Sequence, residues 1–63
     1  MTQKELLYLE DAIGHETSLI NVLTETVNFL ENEDLVAFIE KEMKKHKTMK
    51  DKLMNMLKEL ANE

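Results

Sequence analysis

A chain of 63 residues with a formal net charge of -5 and no cysteine forms one domain at most, and one too short to bury a large share of its surface. Disulfides and thiolate metal patterns are excluded, which leaves self-association, or a metal held by Glu and His, to supplement the core. Net acidity argues against nucleic acid as a partner, and no apolar run approaches the roughly 18 residues of a membrane span. Acids stand in MTQKELLYLED where a signal peptide needs its apolar core, so a cytoplasmic protein is expected.

The chain has no proline and a single glycine, Gly14, so almost nothing interrupts helix formation. Thr2 followed three residues later by Glu5 matches a capping box, in which hydroxyl and carboxylate each satisfy an unpaired amide of the first turn. From there Leu6, Leu9, Ile13, Glu16, Ile20, Leu23, Val27 and Leu30 recur at steps of three and four. Ala12, Leu19 and Thr26 widen that seam to what a bundle helix needs. A first helix from about Thr2 to about Glu31 is predicted. Gly14 within it costs roughly 1 kcal/mol against alanine and marks either a close helix contact or a tolerated surface defect.

Asn32, Glu33 and Asp34 then supply a short polar turn, with Asn32 able to cap and the acids favourably placed against the positive end of the next helix dipole. A second helix, from about residue 35 to 61, repeats the pattern with Leu35, Ile39, Glu42, His46, Met49, Leu53, Met56 and Leu60, widened by Phe38, Met43 and Leu57. Two long helices joined by so short a turn pack antiparallel. A lone pair leaves the far side of each stripe wet, so the expected architecture is all-α: an antiparallel two-helix hairpin dimerising into a four-helix bundle. The alternative is a hairpin docked on a different protein. Charge is unevenly placed, with Lys4 alone against six acids up to Glu31 and seven lysines balancing seven acids thereafter, so the two segments suit each other.

Three polar residues interrupt the seams: Glu16, Glu42 and His46. Buried charges need a partner or a metal, because desolvation penalises them by several kcal/mol. Reflecting the hairpin about Asn32 or Glu33 sets Glu16 level with Met49, with His46 about 4 to 5 Å and Glu42 about 10 Å along the axis. One reading is a carboxylate metal site for iron or manganese. A two-fold dimer gathers four glutamates and two histidines, the ligand count of ferritin-like di-iron and di-manganese proteins. Those proteins space Glu and His at i and i+3, whereas EMKKH spaces Glu42 and His46 at i and i+4. The preferred reading is therefore a hydrogen-bonded polar layer with no cofactor, which fixes register and pairing as a core Asn does in coiled coils.

His15 points about 100° away from Glu16 and reads as solvated unless a dimer covers its face. The lysines of KEMKKHKTMKDK fall around the helix, with Glu40 four residues before Lys44 and Lys47 four before Asp51, as on a solvated face rather than a nucleic-acid stripe. Met43, Met49, Met54 and Met56 read as core gap fillers, although methionines also line adaptable docking surfaces. No cysteine nucleophile, phosphate loop or based serine is present, so no enzyme is expected.

TQKELLYLEDAIGHE and NEDLVAFIEKEMKKHKTMKDKLMNML resemble the small spore coat proteins of the spore coat protein F family. Thr2, Lys4, Glu5, Leu6, Leu7, Asp11, Glu16, Asp34, Leu35 and His46 carry the likeness. The resemblance implies a ferritin-like hairpin, half of a four-helix unit, associated with the coat of bacterial spores. The resulting expectation is a non-enzymatic structural protein that acts as a homodimer or higher homo-oligomer, with other coat proteins as further partners and no nucleic acid or membrane. The alternative is a ferritin-like metal-binding protein using Glu16, Glu42 and His46 of each chain.

Overall fold

The structure, a computed structural model, describes residues 1–62 and consists of two α-helices, α1 (Gln3–Val27) and α2 (Glu33–Ala61), packed against each other. Its Cα trace measures 47 × 14 × 11 Å, the dimensions of one antiparallel hairpin.

The caps define where the helices begin. Thr2 is extended and its hydroxyl accepts from Glu5 N–H at 3.0 Å, while the Glu5 carboxylate accepts from Thr2 N–H at 2.9 Å. Both halves of the capping box are therefore made. Asn32 caps α2 in the same way, its side-chain oxygen accepting from Asp34 N–H at 2.9 Å and Leu35 N–H at 3.0 Å. Glu33 and Asp34 occupy the first turn of α2 and Lys58 the last, each with the sign that the helix dipole favours.

The first helix ends earlier than its hydrophobic repeat predicts, at Val27 rather than about Glu31. Thr24, Thr26 and Val27 at its end and Asn28 just beyond are poor helix formers, and the Thr24 and Thr26 hydroxyls bond back to the carbonyls of Ile20 and Val22 at 2.7 Å each. The amides of Asn28, Phe29 and Leu30 turn to carbonyls three residues back, at 3.1, 3.0 and 3.3 Å, which tightens and closes the helix. Leu30 continues the apolar pattern because it folds in half-buried under the turn. The connection is thus residues 28–32, and α2 begins at Glu33, two residues before the predicted start.

The α1 seam lies where the spacing places it, with Leu6, Leu9, Ile13, Glu16, Ile20 and Leu23 half-buried. The α2 seam is rotated from the predicted one. Val36, Ile39, Met43, His46, Lys50, Leu53, Leu57 and Leu60 face α1, whereas Leu35, Met49 and Met56 are exposed. Lys50 is half-buried there, a position that a long alkyl stem with a terminal charge tolerates. The apolar stripe of α2 is wider than one neighbouring helix can cover, and α1 takes the side centred on Ile39, His46 and Leu57. No residue among those described is fully buried.

Candidate functional site

Halfway along the hairpin the two helices meet through polar side chains. His46 on α2 directs Nδ1 at Glu16 Oε2 on α1, 2.7 Å away, the length of a charge-assisted hydrogen bond. The other ring nitrogen, Nε2, lies 3.9 Å from Glu42 Oε2 one turn earlier on α2. Side-chain exposures of 14% for Glu16, 21% for His46 and 30% for Glu42 place all three within the partly shielded seam. The imidazole is held between two carboxylates, one from each helix.

Glu16 and His46 are level with each other, in place of Glu16 and Met49. Ending α1 at Val27 moves the turn toward the N-terminus, to residues 28–32, and the contact itself sets the point of reflection at Glu31, about which residue 16 falls on residue 46. The three predicted residues come together, but their donor atoms do not converge on a point. The carboxylates occupy opposite nitrogens of one ring, and among the described residues no group of three or more His, Asp or Glu side chains is arranged to hold a metal ion. Within one chain the arrangement suits a hydrogen-bonded layer that pins the helix register.

His15 is exposed on α1, as expected, but it lies on the side of the hairpin that carries Tyr8 and Val22 rather than on the polar face. Lys41, Lys44, Lys45 and Lys52 line an open depression on the outer side of α2 with Thr48 and Met49. No helix among the described residues is long and apolar enough to cross a membrane.

A second feature is not apparent from the seam pattern alone. Tyr8, Leu19 and Val22 on α1 and Phe38, Met49 and Met56 on α2 are all exposed large apolar side chains. At about 100° per residue they lie about 60 to 120° behind the Glu16–His46 line on their own helices. Two right-handed helices that run in opposite directions turn such positions to the same side of the hairpin. One broad face consequently gathers these six apolar side chains, with the exposed His15 and Lys45 lying between them. At one end it carries an open groove lined by Met1, Glu5, Tyr8, Leu9, Ala12 and Leu60. The opposite face, turned by similar angles the other way, presents Glu10, Asn21, Thr24, Glu40, Lys47 and Lys58, all exposed, with Met54 as its exposed apolar side chain. The signal available in the sequence was width: α2 has apolar residues spread over more of its circumference than a two-helix contact covers.

Comparison with protein-family models, curated proteins and solved structures gives no significant match to the chain.

Proposed function

We propose that this chain is a non-enzymatic assembly module, a helical hairpin that completes its core by pairing with another copy of itself into a four-helix bundle. The observation that carries this reading is the contrast between a hairpin with no fully buried described residue and one broad face bearing Tyr8, Leu19, Val22, Phe38, Met49 and Met56 in contact with water. A chain of this size rarely folds stably on so little burial, and a cluster of exposed large apolar side chains on one face marks an association surface. Glu16, His46 and Glu42 then serve as the polar layer that fixes register while apolar contacts supply the stability. The likeness of TQKELLYLED and NEDLVAF to small spore coat proteins makes a coat or similar layered assembly the natural setting for such a module.

Thermal unfolding over a hundredfold range of protein concentration tests the proposal. A midpoint that rises with concentration is expected, because folding and association are then linked by mass action. A cooperative transition independent of concentration contradicts it. Repeating the scan with iron or manganese tests the metal-binding alternative, in which stoichiometric metal and a large upward shift would place ligands in the seam.

A further inference from the structure

Resting on the reading of a self-pairing hairpin, we infer which face pairs and how: a second copy seats on the Tyr8–Met56 face with its turn at the same end, so that α1 of each copy lies across α2 of the other. Two hairpins stacked through this face have two symmetric options. A two-fold axis parallel to the helices sets α1 over α2 of the second copy and keeps every residue at its own level. A two-fold axis across the face sets α1 over α1 and α2 over α2, with the turns at opposite ends.

Charge separates the two options. Within α1 one lysine stands against five acids, whereas α2 has seven lysines against six acids, so crossing unlike helices is favoured. The rim of the face sharpens the choice. The Glu16–His46 contact makes residue k of α1 level with residue 62 minus k of α2. Lys4 and Asp11 edge the face on α1, and Glu59 and Lys52 edge it on α2, each within one residue of the matching level. In the turn-to-turn dimer, Asp11 meets Lys52 of the second copy and Lys4 meets Glu59, with each pair formed twice. In the end-over-end dimer, centred on the hairpin, Lys41 instead meets Lys52 of the second copy and Lys45 falls within two residues of its own counterpart, whereas turn-to-turn Lys45 falls within two residues of His15.

Side-chain size follows the same register. Ala12 is level, to within one residue, with Met49, and Tyr8 with Met56 and Val22 with Phe38 to within two. A small side chain thus opposes a flexible long one and two further apolar pairs are unlike, while Leu19 falls within two residues of the level of Glu42 and Lys45 of the second copy. At about 1.5 Å per residue these offsets are 3 Å or less. The polar layers of the two copies fall at one level, with Glu42 of each chain turned toward the new interface.

The test uses a chain that has no native cysteine. Glu31→Cys at the exposed turn, spin-labelled and measured by pulsed dipolar EPR, is expected to give a single distance below about 30 Å, a few helix spacings. A distance near the 47 Å length of the hairpin overturns the turn-to-turn arrangement while leaving self-assembly standing. A monomer without dipolar coupling overturns both. As a second measure, Asp11→Lys and Lys52→Asp should each loosen the dimer about three- to tenfold, and the double substitution should restore its affinity to within about twofold. A double variant no tighter than the singles contradicts the pairing.

Discussion

His46 Nδ1 hydrogen-bonds Glu16 Oε2 at 2.7 Å across 30 residues of chain, joining the midpoints of α1 and α2. Because the contact is charge-assisted and only partly exposed, its loss leaves a shielded carboxylate or imidazole without its partner. His46→Leu and Glu16→Leu are each expected to lower stability, with a coupling energy of about 1 to 3 kcal/mol in a double-mutant cycle. The double leucine variant should recover most of the loss or exceed the parent, since apolar packing replaces a desolvated pair. Denaturant unfolding of the four proteins measures this, and additive single effects would show that the pair does not couple.

Association through the Tyr8–Met56 face gives a second expected outcome. Phe38→Glu removes an exposed apolar ring and places a carboxylate where the second copy packs. Burying such a side chain contributes about 1.5 to 3 kcal/mol, so the variant should dissociate at least about tenfold more readily. Lys47→Glu, on the polar face, should leave the dissociation constant within about threefold. Equal effects from the two substitutions would mean that the apolar face is not the interface.

Much of the hairpin was legible in the sequence because its signals are local. Thr2 with Glu5 and Asn32 with Asp34 mark helix starts through hydrogen bonds between near neighbours, and both caps form as read. The meeting of Glu16, Glu42 and His46 was legible as well, from seam spacing. Their exact pairing was not, because it depends on where α1 stops. The repeat continues through Leu30, so periodicity extends the helix, whereas Thr24, Thr26, Val27 and Asn28, with the backbone bonds of residues 28–30, end it at Val27. A shift of one or two residues at the turn exchanges Met49 for His46 as the residue level with Glu16. The rotation of α2 was hidden for a related reason: its stripe is broad enough to serve two neighbours, and spacing alone does not assign Val36 and Lys50 to one and Met49 and Met56 to the other.

Gly14 faces away from α2 and away from the apolar face, and a Cβ built on it meets nothing within 4 Å. It is a surface defect in the hairpin rather than a close helix contact. Gly14→Ala should therefore raise stability by about 0.5 to 1 kcal/mol through helix propensity and the lost freedom of the unfolded chain. Thermal unfolding at fixed concentration measures the gain. A loss of stability would reveal a further contact at that position.

The caps should respond to substitution and to acid. Asn32→Ala removes the acceptor of two α2 amides and is expected to cost about 1 kcal/mol, read by chemical denaturation. At α1, the Thr2 backbone N–H, and secondarily its hydroxyl, hold the Glu5 carboxyl below its ordinary range. A carboxyl lowered on folding contributes stability that is present above the ordinary carboxylate range and lost as pH falls through the folded value. Acid titration followed by amide exchange should show the first turn of α1 fraying over that window, with Glu5→Gln abolishing the pH dependence there. Unchanged exchange in the first turn down to pH 2 would contradict a contribution from this box.

Self-pairing is measured most directly by sedimentation equilibrium of the unmodified chain from micromolar to millimolar concentration. A dimer is expected, with twice the 7.4 kDa chain mass at the upper end, shifting toward a less helical monomer on dilution. A fully helical, cooperatively folded monomer throughout that range would contradict it, since the hairpin would then be stable with its apolar face in water.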